Sequence, residues 1–205
     1  MSSNILAVSA SLKYASIALQ RNNLVECREI ADDIPTYLVQ SISDFLNDNS
    51  SAYKDLDHVI VASGPGSFTG IRTVISFAKA IQSTTDCNVV CVNYFDVLRT
   101  LYPTIDADLM IINSENNNEF YYILRDKNAS VGYLHTTDIF DVEYDTVIYE
   151  PNEQINSRLK CKYANICDNL RSAENLLLLS EEGSELLKPY YIKQSYVHNT
   201  SCAKR

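Results

Sequence analysis

Apolar and polar positions follow two rhythms along the first half of the chain. "NILAVSA" (4–10) and "ASIALQ" (15–20) are apolar runs split by "SLKY", a pattern that predicts two strands joined as a hairpin. "LVECREI" (24–30) alternates and predicts a third strand. "DIPTYLVQSISDFLND" then shifts to helical period. Ile34, Leu38, Ile42 and Phe45 fall on one stripe, Asp32 or Asp33 caps the helix, and Pro35 suits its first turn. "LDHVIVAS" (56–63) reads as a buried strand, and Ile71, Val74, Ile75, Ala78 and Ile81 mark a second helix. "NVVCV" (88–92) predicts a further strand, and "NYFDVLRTLY" (93–102) a third helix capped by Asn93.

The second half is less regular. "ADLMIIN" (107–113), "NEFYYIL" (118–124) and "TVIYE" (146–150) predict strands. "SRLKCKYANICDNLRSAENLLLLS" and residues 180–188 suggest short helices. The order β-β-β-α-β-α-β-α, followed by a shorter mixed region, predicts an α/β fold with one main sheet. With 205 residues and 46% hydrophobic content, the chain can bury a real core, as one large domain or two small lobes.

Both helices carry more apolar surface than one core face needs. Tyr37, Leu38, Val39, Ile42, Phe45 and Leu46 spread over about 200° of the first helix, and Phe77 lies about 100° from the centre of the second helix's core stripe. Either a smaller lobe or another chain covers the surplus. Tyr37, Val39, Leu46 and Phe77, with Arg72 beside them, are the candidate partner-facing residues.

Charge narrows the partner. The net charge is −9, and the 17 Lys and Arg residues are scattered, which argues against independent nucleic-acid binding. The start "MSSNILAVSASL" has neither a basic region nor a long apolar core, and no run approaches the roughly 20 apolar residues of a membrane span. A cytoplasmic location is the expectation. The six cysteines (Cys27, Cys87, Cys91, Cys161, Cys167, Cys202) fit reduced thiols, and Cys87 and Cys91 lack the second pair that zinc would need.

The densest chemical signal is "GPGSFTGIR" (64–72), which holds three of the five glycines. It is not a Walker A loop, because no Lys follows its glycines at the required spacing. It is not the dinucleotide pattern, since Thr69 stands where the third glycine belongs. Pro65 and Thr69 flank Ser67, so it is not a nucleophile elbow either. Two readings remain. Gly64, Gly66 and Gly70 permit a tight β-to-α corner capped by Ser67 or Thr69, or the helix start presents its N–H groups to a phosphate.

The segment "VIVASGPGSFTGIRTVISFAKAIQ" closely resembles the bacterial TsaB (YeaZ) family, with its strand, GPGSFTG-[LI]-R and helix containing A-K. "ILAVSASLKYASIAL" is similar to the family's opening hairpin, "FYYIL" sits where its DARR-x-EVY strand falls, and "KPYYIK" is similar to its late P-x-YLR. The resemblance implies an actin/hexokinase-like (ASKHA), ribonuclease-H-like α/β fold of two lobes, the second reduced. Residues 1–103 would form the first lobe, with the glycine loop, and 104–205 the smaller one, with a polar tail.

It also implies a function. Family members are catalytically silent relatives of TsaD, which makes N6-threonylcarbamoyladenosine at position 37 of ANN-decoding tRNAs from the adenylate supplied by TsaC. The chain would then be a non-catalytic activator that binds TsaD directly, meets TsaE through the complex, can form a homodimer, and touches tRNA only indirectly. No cofactor would be required by the chain itself, with ATP or ADP held at the complex interface. Gly64, Gly66, Ser67, Thr69 and Gly70 would contact its phosphates or simply build the corner.

The residues agree with silence. His58, His135 and His198 are too far apart for the H-x-x-x-H pair of metal-dependent relatives, and Ser9-Ala10-Ser11 stands where the family commonly shows Asp-Thr-Ser. No catalytic or metal-ligating residue is assigned. Two departures from the family are "ADDIPT" (31–36) for its H-S-E and "INSENNNE" (112–119) for its DARR segment. The competing readings are a stand-alone ASKHA-type ATPase or small kinase, which needs the missing acid, and a metallopeptidase-like protein, which needs ligands that are not found.

Overall fold

The computed structural model describes residues 3–10, 14–30, 33–101, 108–114, 119–124, 131–135, 146–149, 163–166, 174–179 and 187–192. Three strands open the chain: β1 (Ile5–Ser9), β2 (Ala15–Arg21) and β3 (Leu24–Ile30). Asn22 and Asn23 have φ of 50° and 64°, the paired positive values of a two-residue turn whose twist matches its strands. Helix α1 (Ile34–Asp48), β4 (His58–Ala62), α2 (Phe68–Thr84), β5 (Asn88–Val92) and α3 (Tyr94–Leu101) follow. The sheet order is β3-β2-β1-β4-β5, with β2 antiparallel to both neighbours and β1, β4 and β5 mutually parallel.

The expectation of one main sheet is corrected by a second. It contains β6 (Leu109–Asn113), β7 (Glu119–Leu124), β8 (Val131–His135), β9 (Thr146–Tyr149) and β10 (Tyr163–Ile166) in the order β10-β9-β6-β7-β8. Strand β7 is antiparallel to β6 and β8, while β6, β9 and β10 run parallel. Read outward from β6, this is the connectivity of the first sheet repeated. The sequences of the two halves share no visible repeat, so the duplication lives in topology alone.

Two differences from the sequence reading lie here. Tyr163–Ile166 is a strand where a short helix was expected, because pairing with β9 (Tyr163↔Thr146 to Ile166↔Tyr149) overrides the local pattern of a short apolar run. Strand β8 was not expected at all. Its Gly132 weakens the pattern, and a Cβ there would run into the Tyr122 phenol on the neighbouring strand. Helical structure in this region is seen in α4 (Glu174–Leu177); the helix suggested at 180–188 lies largely outside the described residues.

Strict alternation explains why β1 is apolar up to Ser9 and β4 is apolar after His58. Leu6, Val8, Ile17, Val59 and Val61 face α1 and α2, whereas Ile5, Ala7, Ala18, Ile60 and Ala62 face a second core shared with α3, α4 and the second sheet. A sheet covered on both faces needs apolar residues at both phases. After β10 the chain crosses back, and α4 packs on β1, β2 and β4.

Helix ends are tied down locally. The Asn93 Oδ1 accepts from the Asp96 N–H at 2.9 Å and its Nδ2 donates to the Asp96 carboxylate, as expected of the cap of α3. Asp33 occupies the N-cap position of α1, but its carboxylate takes the Thr36 hydroxyl (2.7 Å) and no backbone N–H. At the other end, Arg21 donates to the carbonyls of Asn49 and Ser50 at 3.2 and 2.9 Å, and Arg28 pairs with Asp48 at 2.7 Å while lying 5.1 Å from the Phe45 ring centre.

Adjacent residues of α1 make a direct check. Leu38 is fully buried and Val39 is 55% exposed. Leu38→Ala is expected to cost about 2–5 kcal/mol, and Val39→Ala to stay within about 0.5 kcal/mol of the parent, as read from urea unfolding midpoints.

Candidate functional site

The glycine loop joins β4 to α2 and is held from several sides. Ser63 donates its N–H (2.8 Å) and its hydroxyl (2.9 Å) to the Val92 carbonyl, fixing the end of β4 on β5. The Gly64 carbonyl accepts from the Tyr94 N–H at 2.9 Å, which ties the loop to the start of α3. The Gly64–Pro65 peptide is cis. The Tyr121 hydroxyl, from the second sheet, reaches the Gly66 carbonyl at 3.5 Å.

Two glycines are obligatory for different reasons. Gly64 has φ +121°, and a Cβ there would lie 2.6 Å from the Tyr190 carbonyl oxygen and 2.8 Å from Ile71 Cδ1. Gly70 sits in the first turns of α2, where a Cβ would overlap the backbone carbonyl of Ala10, just past β1. The helix therefore approaches the end of β1 at backbone distance. Of the two expected caps, Ser67 serves: its Oγ accepts from the Gly70 N–H at 3.1 Å. Thr69 is exposed, and its carbonyl accepts the Thr73 hydroxyl at 2.9 Å.

Beyond the loop, α1 and α2 flank an open apolar groove of about 650 Å³, with the 3₁₀ turn Tyr53–Asp55 at one side. Val39, Tyr53, Phe68, Phe77, Ala80 and Ile81 supply its apolar wall and Arg72 its cation. The Tyr53 ring lies 6.2 Å from that of Phe77, and its hydroxyl donates to the Val39 carbonyl at 3.4 Å. Burial, with a smaller contribution from the Asp44 carboxylate, pushes the Tyr53 phenol above its ordinary pKa, so it stays a neutral donor.

The expected partner-facing residues separate clearly. Val39, Arg72 and Phe77 meet in this groove, Phe77 as a largely buried part of its wall. Tyr37 is exposed two residues before Val39 on α1, on a different side of the helix, and does not line the groove. Leu46 does not belong with them: it is 1% exposed and lies in the core between α1 and the sheet. The expected width of the apolar face was thus partly core, because both Phe45 and Leu46 are buried in the cluster that α1 shares with the sheet and α2.

Sequence reasoning passed over Tyr53, Tyr94, Tyr190 and Tyr191. The Tyr94 hydroxyl is hydrogen-bonded to Ser9 Oγ, and both residues are buried at the end of β1. Tyr190 donates its N–H to the Ser63 carbonyl at 2.8 Å, and Tyr191 stacks on Phe68 with ring centres 5.0 Å apart. The "KPYYIK" likeness was the available signal, but nothing in one sequence brings residue 190 to residue 63. Among the described residues no group of three His, Cys, Asp or Glu side chains gathers as a metal site, and no helix is long and apolar enough to cross a membrane.

A pair of sheets with the β3-β2-β1-β4-β5 connectivity, a glycine-rich corner after β4 and an open helical groove define a two-lobed protein of ribonuclease-H-like build. The family model for TsaD, tRNA N6-adenosine threonylcarbamoyltransferase, matches residues 35–147, more than half of the chain. The chain belongs to this family, and its relatives assign it to the TsaB (YeaZ) branch. The tRNA threonylcarbamoyladenosine biosynthesis protein TsaB of Buchnera aphidicola is 23% identical over 135 residues, which cover 63% of this chain and 61% of that protein. TsaB of Bacillus subtilis is 34% identical over 102 residues, covering 46% of this chain and 42% of that protein. The matches thus span only about half the length of these relatives. YeaZ from Pseudomonas aeruginosa has the same fold over 93% of this chain and all of its own, with a TM-score of 0.66 at 20% identity.

The corner predicts its own mutational signature. Gly70→Val should unfold the chain or cost more than about 3 kcal/mol, since helix and strand backbones must separate. Ser67→Ala should cost only about 1 kcal/mol, the loss of one cap. Thermal unfolding of both variants checks the contrast.

Proposed function

We propose that this chain takes part in threonylcarbamoyladenosine biosynthesis as a non-catalytic subunit that docks on a TsaD-type transferase and activates it. The observation that carries the reading is the apolar groove between α1 and α2, open to solvent on a chain with net charge −9. Such a surface suits a protein partner, and scattered cations do not suit tRNA.

The catalytic silence of the chain is part of the proposal. Where related folds place an acid at the end of the first strand, Ser9 is buried and hydrogen-bonded to the buried Tyr94 hydroxyl. A phosphate or metal ion approaching there would have to displace that pair. Transfer chemistry would then reside in TsaD, with tRNA held by that subunit, TsaE joining through the complex in the cytoplasm, and any ATP or ADP bound at the interface. The Ser67 hydroxyl is occupied by the Gly70 N–H, which favours the glycine loop as a corner that fixes α2 over a free-standing nucleotide cradle.

Reconstitution tests this directly. The purified chain alone should form no threonylcarbamoyladenosine and hydrolyse no ATP in a single-turnover assay. Added to the TsaD-type transferase of the same genome and its substrates, it should raise product formation. Val39→Asp should leave the unfolding midpoint within about 0.5 kcal/mol of the parent and abolish that stimulation, because a carboxylate in an apolar interface is left unpaired. Robust transfer by the chain alone, or full stimulation by Val39→Asp, would contradict the proposal.

A further inference from the structure

Residues 187–192 run across the glycine loop and touch both cores. Leu187 packs against the cluster under α1 and α2, whereas Tyr190 and Ile192 pack against the one between the sheets. The Tyr190 N–H bonds to the Ser63 carbonyl at 2.8 Å, and its own carbonyl occupies the space that a Gly64 side chain would need. The segment is therefore anchored on the loop by its backbone.

Its next residue points elsewhere. The Tyr191 ring, 40% exposed, stacks on Phe68 at 5.0 Å with planes 29° apart, and the Arg72 guanidinium lies 4.0 Å from the Phe68 ring centre. Phe68 and Arg72 both line the groove, at the N-terminal end of α2. Three side chains thus form one ladder, from a segment more than 100 residues away in sequence to the groove wall.

We propose that Tyr191 is a positioning residue for the groove: anchored through the glycine loop, it holds Phe68, and through Phe68 the Arg72 guanidinium, in place before a partner docks. The inference rests on the docking role proposed above. The physical basis is pre-organisation. A side chain already ordered in the free protein spares the partner the entropy of ordering it, and aromatic and cation–π contacts of this kind are strong enough to hold a half-exposed ring. Linkage makes the effect reciprocal, so occupation of the groove must also tighten the segment on the loop.

Two measurements test the proposal, one of which needs no partner. In the free chain, Tyr191→Ala should shift and broaden the NMR methyl signal of Thr73, the groove residue next to Arg72, and Tyr191→Phe, which keeps the stack, should leave it as in the parent. An unchanged Thr73 signal in Tyr191→Ala would overturn the positioning role, whatever the partner does. In complex with the TsaD-type transferase, Tyr191→Ala should bind about three- to tenfold more weakly, with Tyr191→Phe within about twofold of the parent. Ile123→Val, a core change in the second sheet, should lower the melting temperature and leave affinity intact, separating positioning from general stability. Parental affinity in Tyr191→Ala would also overturn the role. Failure of the parent chain itself to bind would refute the docking function and leave the free-chain result to decide the ladder.

Discussion

Where α2 meets the end of β1, the backbone of Gly70 lies against the carbonyl of Ala10 with no room for a side chain. The shape of the candidate site follows from that approach. It sets the angle at which α2 leaves the glycine corner, and thereby which residues of α2 reach the core and which reach the groove. Ile71, Val74, Ile75 and Ala78 go inward, while Arg72, Thr73 and Ser76 line the open side. The Ser67 hydroxyl caps the same turn, so strand, corner and helix are fixed by one set of short-range contacts.

The corner is also the junction between distant parts of the chain. Strand β5, helix α3, the second sheet and residues 187–192 all donate a hydrogen bond to it or accept one from it, through Val92, Tyr94, Tyr121 and Tyr190. This accounts for glycine at position 64 better than a ligand does, because the Tyr190 carbonyl already fills the space beside it. The two copies of one topology also meet at the first sheet. The first sheet is covered on both faces, and after β10 the chain returns to help cover it through α4.

Much of the first sheet was legible because periodicity and burial coincide there. The apolar runs of β1 and β4, the Leu38–Ile42–Phe45 stripe and the Asn93 cap all act through neighbours in sequence. Residue 46 was misread because an amphipathic pattern gives the width of an apolar face and not what covers it; the sheet takes Leu46, and solvent takes Val39. Strands β8 and β10 were missed or misread because their pairing with β7 and β9 is tertiary. The candidate site was only half readable. The glycine loop announces itself by composition, but Tyr53, Tyr94 and the 187–192 segment join it through contacts that only the folded chain brings together.

The central claim is that the groove between α1 and α2 is the surface by which this chain works, through a TsaD-type transferase. The most direct measurement is the methyl NMR spectrum of the chain titrated with that transferase. The account predicts that Val39, Thr73, Ala80 and Ile81 respond first and most strongly, with Val131 in β8 of the second sheet unchanged. A response confined to the second sheet, with the groove methyls unmoved at saturation, would contradict it.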